Sequence, residues 1–214
     1  TNFKRPFFAN SVQSFWQRWH ISLTSWFKDY IYIPMGGNKV PKWRWYFNIF
    51  AIFFISGLWH GAAWTFVVFG ALHGIYLVIP LMLKPILDKI PNLPIIRDIP
   101  RIYNSFKIVL TVSLFGFSLV FFRSLTFADS IDIFSKLWHL DGKIFIGNLG
   151  TFVYSIVAIL FLFFVELEQE YKIFNFSLLN NKHYLIRHLS YVSAVMILLL
   201  FGVFGGGQFI YFQF

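Results

Sequence analysis

The chain contains no cysteine, and only 9 of its 214 residues are acidic. Disulfides, thiolate metal sites and cysteine-bound acyl intermediates are therefore excluded within it. Charged residues make up 13%, against about 25% in ordinary soluble domains. So low a charge content excludes a disordered chain and argues against a water-soluble globule. Several catalytic signatures are missing as well. There is no HExxH, no histidine pair at i,i+4 beside a carboxylate, no GxSxG and no glycine-rich phosphate loop. Ser56 lies near His60, but no acid close in sequence completes a Ser-His-Asp relay. Thr1 is not followed by a charged leader, a short apolar core and a cleavage site, so the sequence reads as a piece of a longer protein, cut at its N-terminal side.

Apolar and aromatic residues are present in excess. Hydrophobic residues make up 57%, with 30 Phe, 10 Tyr and 8 Trp, and the mean hydropathy is +0.64. The solvent that suits this composition is a bilayer. The net charge is +9. A nucleic-acid partner would require a solvated basic face, but here the cations lie between apolar runs, the usual mark of cytoplasmic membrane loops. No nucleic-acid partner is expected.

From Asn10 to Tyr30 the pattern predicts one amphipathic helix lying in the membrane surface. Val12, Phe15, Trp16, Trp19, Leu23, Trp26, Phe27 and Tyr30 share a stripe about 120° wide at 100° per residue. Gln13, Gln17, Arg18, Lys28 and Asp29 lie outside it, and Ile21 alone is out of place. Asn10 or Ser11 is the expected N-cap. Pro34, Gly36, Gly37, Asn38 and Pro41 then break the chain into a loop. Residues 45–83 carry no Asp, Glu, Lys or Arg, yet exceed the roughly 20 residues of a single crossing. Gly57 and Gly61 flank a natural break, giving helical pieces near 45–58 and 62–83, the first of them short and re-entrant or half-buried. Non-helical backbone at membrane depth needs cover from protein or a water-filled cavity, so a cavity is expected beside residues 57–61.

Residues 84–105 read as a loop with four prolines, and 106–122 as the next crossing. A short surface helix is expected near 128–138, and further crossings at 151–167 and 188–204. With 45–83 as a hairpin, one side of the membrane collects seven Lys/Arg from residues 1–44, five from 84–107 and three from 168–187. The other side has three, in residues 123–150. The positive-inside rule makes the richer side cytoplasmic. The expected fold class is all-α: a polytopic transmembrane helical protein with an interfacial amphipathic helix and a broken or re-entrant helix pair.

Six histidines are the main candidates for chemistry. His139, His183 and His188 lie in loops or at a span edge, where a solvated ring is expected. His60 lies in an uncharged run beside the predicted break, in Ser56-Gly57-Leu58-Trp59-His60-Gly61. An ionisable group inside a span is costly and marks a functional site by default. A neutral imidazole there can take a proton from a hydroxyl, or simply bond a carbonyl across helices; composition does not choose. His20 falls at the edge of the aromatic stripe and faces a cavity mouth or the headgroups. His73, beside Gly70 and Gly74, reads as a packed helix–helix histidine.

The string Phe15-Trp16-Gln17-Arg18-Trp19-His20-Ile21-Ser22-Leu23, with Trp26 and then Asp29-Tyr30-Ile31-Tyr32-Ile33-Pro34-Met35-Gly36-Gly37-Asn38, resembles the signature of membrane-bound O-acyltransferases. Gly57-Leu58-Trp59-His60-Gly61-Ala62 with Trp64-Thr65 resembles that family's histidine motif, and Phe69-Gly70-Ala71-Leu72-His73-Gly74 continues the likeness. Phe121-Phe122-Arg123 and Phe209-Ile210-Tyr211-Phe212 are similar to the members that acetylate alginate. The resemblance implies that residues 1–214 are the C-terminal part of one such domain, without the family's N-terminal helices. It implies acyl transfer, acetyl for the alginate-like branch, from a thioester donor to hydroxyls of an exported or cell-surface polysaccharide in the bacterial inner membrane. D-alanyl transfer to teichoic acid is the nearest alternative, and a conduit that passes the acyl group or a lipid-linked sugar without catalysis is another. His60 matches the catalytic histidine and His20 the second histidine. Trp19 and Trp59 would shape the passage, with Asp29 and Asn38 organising the loop beside it. Expected co-substrates and partners are acetyl-CoA or an acyl carrier, the bilayer, the polysaccharide, and a periplasmic or surface acyltransferase. No tightly bound cofactor and no metal are expected.

Overall fold

The computed structural model describes residues 1–139, 147–172 and 181–201. It divides into two compact units, Thr1–Ile144 and Phe145–Phe214. Every described regular element is helical. Three helices are long and apolar enough to cross a membrane: Trp64–Met82, Pro100–Arg123 and Leu149–Tyr171.

In the first unit, Ser11 is the N-cap of α1 (Val12–Trp16), its Oγ accepting from the Ser14 N–H at 3.1 Å. The single helix expected from Asn10 to Tyr30 is instead broken. After α1 the chain makes a turn at 17–20, resumes as α2 (Ile21–Phe27), and winds through a wide π-type turn at Lys28–Tyr32. The break lies at His20, whose φ of 45° and ψ of 52° are left-handed, a conformation no α-helix interior admits. Outside partners hold the turn: Lys4 N–H donates to the Arg18 carbonyl at 2.8 Å and Ile21 N–H to the Asn2 carbonyl at 2.9 Å. The break also explains why Ile21 falls off the stripe, since the periodicity does not run through it. Val12, Phe15 and Phe27 are buried, while Trp26 and Tyr30 are exposed.

Next come α3 (Lys42–His60) and α4 (Trp64–Met82), an antiparallel hairpin joined across Gly61–Ala63. The broken pair is as expected, but α3 begins three residues earlier and ends two residues later than the expected piece, so the break falls at Gly61–Ala63 and Gly57 lies inside the helix. Glycines set the crossing. A Cβ on Gly70 would lie 2.3 Å from the Phe53 carbonyl, and one on Gly57 would lie 2.3 Å from the Phe66 carbonyl. Only backbones without side chains approach so closely, as in small-xxx-small membrane packing.

The stretch expected as a loop at 84–105 holds helical turns, α5 (Lys84–Leu87), a 3₁₀ turn at Ile90–Asn92, and α6 (Pro94–Arg97). Proline at the start of each turn needs no N–H partner there. It is followed by α7 (Pro100–Arg123), which packs on α4 and α1, and by α8 (Phe127–His139), whose Phe134 stacks on Phe117 at 4.6 Å. The core is aromatic: Phe15 is buried against Phe115 at 4.4 Å, with Trp16 and Trp19 around them.

The second unit contains α9 (Leu149–Tyr171), capped by Asn148 and closed by left-handed Lys172, and α10 (Tyr184–Phe201), a shorter apolar helix. Among the described residues no α9 residue is buried, and its charged residues lie only in its last turns, at Glu166, Glu168 and Glu170. The end of the crossing expected at 188–204, the glycines at 205–207 and the aromatic tail 208–214 lie outside the described residues.

The Gly57–Gly70 approach yields a direct test. Gly70→Ala drives a methyl against the Phe53 backbone, which cannot swing aside, and overpacking of this kind costs about 1–3 kcal/mol. The full-length protein carrying it is expected to unfold at lower temperature in detergent; an unchanged Tm would contradict the crossing.

Candidate active site

His60 is the last residue of α3. Its ring is half-buried and packs edge-on against Phe122 of α7 at 4.9 Å, Trp59 at 5.0 Å and Phe69 of α4 at 6.0 Å, with Phe66 at 6.2 Å. It is neither sealed in the core nor out in the open. Gly61 keeps this aromatic shell tight, because a Cβ there would meet the Phe66 ring at 2.7 Å. Phe122 belongs to the short Phe121-Phe122-Arg123 string, so the structure brings that string to His60.

His20 reaches the same region from the turn between α1 and α2, within electrostatic range of His60. Two features set it apart. It occupies the N-cap position of α2, yet its side chain makes no capping bond; Asn2 does that work, its Oδ1 accepting from Ser22 N–H at 2.9 Å and from Ser22 Oγ at 2.9 Å. The His20 Nδ1 is buried with no hydrogen-bond partner among the described residues. Buried polar atoms are nearly always satisfied, so an exception calls for an explanation.

His73 behaves differently. It is fully buried in α4. Trp16 Nε1–H donates to its Nδ1 at 3.2 Å, and its Nε2 lies 2.8 Å from Ser118 Oγ, which donates to the Phe115 carbonyl at 2.7 Å. Indole N–H is a donor only, so Nδ1 is the acceptor and the proton is on Nε2. This matches the helix–helix role expected for it. His139 and His188 are exposed, each bonding a carbonyl four residues back, and His183 is exposed too.

The loop after α2 is organised by a residue the sequence reading passed over. Asp29 and Asn38 are exposed. Asn48 of α3, 1% exposed, donates through Nδ2 to the carbonyls of Met35 at 3.2 Å and Gly37 at 3.0 Å. Gly36 and Gly37 have φ of 96° and 55°, the left-handed backbone that favours glycine. The available signal was an amide inside an uncharged apolar helix, which is expensive unless paired. Trp19 lies in the core, stacked on Phe15 at 5.6 Å, whereas Trp59 is half-exposed beside His60.

A cavity of about 270 Å³ opens between α1–α2 and the α3–α4 hairpin. Trp16, Phe27, Ile52, Phe53 and Leu77 line it, with Lys28 and Gln17 among its polar groups. It reaches Ser56, next to the break, and none of residues 57–61 lines it. Among the described residues no three His, Asp or Glu side chains gather closely enough to hold a metal ion.

Helices this long and apolar define an integral membrane protein. The model of the membrane-bound O-acyltransferase family matches residues 1–126, which include His20, His60 and His73. The chain belongs to that family. It is 38% identical over 123 residues to the "Probable alginate O-acetylase AlgI" of Pseudomonas aeruginosa, covering 58% of this chain and 22% of that protein. Identity is 51% over 76 residues to the peptidoglycan O-acetyltransferase of Helicobacter pylori, covering 36% of this chain and 14% of that protein. The teichoic acid D-alanyltransferase of Streptococcus thermophilus is 39% identical over 85 residues, covering 36% and 20% respectively. The chain thus spans less than a quarter of the length of these curated relatives.

Removing the Asn48 amide leaves two loop carbonyls without donors. Asn48→Ala is expected to speed trypsin cleavage at the exposed Lys39 severalfold in the otherwise intact protein; an unchanged rate would show that the loop holds itself.

Proposed function

We propose that this chain is the histidine-bearing part of an enzyme that moves an acetyl group from a thioester donor to hydroxyls of an exported or cell-surface polysaccharide. The observation that carries the reading is His60 half-buried in an aromatic shell at the end of α3, with His20, 40 positions earlier, within electrostatic range of it and holding a buried Nδ1 that has no partner among the described residues. Both fall within the family match.

In this reading His60 is the catalytic base. Its ring nitrogen accepts the proton of an acceptor hydroxyl as the oxygen attacks the thioester carbonyl. The C–O bond forms, the C–S bond breaks, and the imidazolium returns its proton to the departing thiolate. The partly dry aromatic shell of Phe66, Phe69 and Phe122 keeps competing water from the ester-forming carbon. His20 offers its unpartnered nitrogen to the same hydroxyl or to the developing oxyanion. The donor is acetyl-CoA or an acyl carrier. The broken segment α1–α2 lies in the membrane surface, with α1 packed on α4 and α7 and Trp26 and Tyr30 toward the headgroups. The protein resides in the bacterial inner membrane and works with a periplasmic or surface acyltransferase that completes delivery.

Acetyl is favoured over D-alanyl because the match to the alginate relative extends over 58% of the chain, against 36% for the D-alanyl relative. The latter supports D-alanyl transfer to teichoic acid as the second reading.

The decisive experiment replaces each histidine in the full-length protein. His60→Ala is expected to abolish ester on the surface polymer at normal protein level, and His20→Ala to lower it about a hundredfold or more, in line with the usual contribution of acid–base groups. Ester at the wild-type level in His60→Ala would reject the assignment. Recovery of D-alanyl rather than acetyl ester would select the second reading. A non-catalytic conduit predicts that purified protein, given donor and acceptor alone, forms no ester.

A further inference from the structure

His73 is a buried, fully bonded imidazole for which the proposed chemistry has no use. Its contacts extend to both candidate catalytic histidines. Through Nδ1 it holds Trp16, four residues before His20 and on the same short segment. Its ring packs edge-on against Phe69 at 4.7 Å, and Phe69 in turn packs against His60 at 6.0 Å. Through Nε2 it bonds Ser118, whose hydroxyl is tied to Phe115, and the Phe115 ring packs on Trp19 at 5.5 Å, next to His20. Three elements therefore meet at one ring: α1, which leads to His20; α4, which bears the shell of His60; and α7, which carries Phe122 to that shell. The segment carrying His20 needs such an anchor, because its helix is interrupted and its turn is left-handed.

We propose that His73 is a positioning residue, its Nε2–H tautomer joining Trp16 to Ser118 so that the turn bearing His20 is held at a set distance from His60. The idea rests on the acid–base reading of His20 and His60. It gives a physical reason for an imidazole here, where an apolar side chain would pack equally well. Only a group that accepts on one side and donates on the other, about 2 Å apart, can bridge an indole N–H and a hydroxyl. Misplacing a catalytic group by an ångström costs on the order of a hundredfold in rate.

The test uses the full-length protein at matched membrane levels, with two readouts. One is ester on the surface polymer. The other is cross-linking of an Asn10→Cys/Asn104→Cys pair in a background with no other cysteine; these side chains bond at 2.9 Å across the junction of the α1 segment and α7, so the cross-link reports docking without reference to activity. His73→Leu is expected to lower ester formation roughly tenfold or more and to reduce the cross-link. His73→Gln should restore both, because its amide also accepts and donates at neighbouring atoms. Full ester formation in His73→Leu, or no recovery in His73→Gln, overturns the proposal. If His73→Leu does not accumulate, Trp16→Phe decides: lowered ester and cross-link support it, and unchanged values overturn it. His60→Ala, run alongside, separates the two ideas. Retained ester there rejects the acid–base reading, whereas ester lost in His60→Ala but unaffected in His73→Leu rejects only the positioning role.

Discussion

The architecture around the site depends on the contact of two backbones. Gly57 and Gly70 let α3 and α4 approach until a single methyl on either would strike a carbonyl of the other. That closeness brings Phe66 and Phe69 of α4 onto the end of α3, where His60 lies. In lipid no hydrophobic force drives helices together, so close packing must supply the association energy. Wider spacing would open the shell around the imidazole and admit water.

Polar satisfaction sorts the histidines. The cost of burying an unpaired polar group is high, and His73 avoids it by meeting a donor with one nitrogen and an acceptor with the other. Asn48 meets it in part, giving both amide hydrogens to loop carbonyls. His20 does not: its Nδ1 is buried and unpartnered, while the capping duty of its position has passed to Asn2. His20 thus combines a left-handed backbone, a side chain that makes no capping bond and a buried nitrogen without a partner among the described residues.

Much of this was legible from residue types and spacing. Absence of charge over 45–83 with glycines at 57 and 61 marked a broken helical pair; the break falls at Gly61–Ala63, while Gly57 lies inside α3, where it admits the α4 backbone. The apolar runs at 106–122 and 151–167 lie inside α7 and α9, and the surface helix near 128–138 is α8. Local periodicity failed between Asn10 and Tyr30 because the interruption at His20 is set by partners such as Asn2 and Lys4, which no helical wheel includes. The cavity that reaches Ser56 is lined from α1, α2, α3 and α4 together, a lining that no single run of the sequence records.

Composition and pattern by themselves determined that the chain is helical, that it is built for a bilayer, and that His20 and His60 stand in family-like motifs, because these follow from hydropathy and from residue order. Tertiary structure alone decided that His20 comes within electrostatic range of His60, that His73 is tied to Trp16 and Ser118, and that Asn48 holds the loop. Each of these joins residues at least eleven positions apart. Such contacts are settled by how closely the helices pack, and the chain's own periodicity carries no record of that.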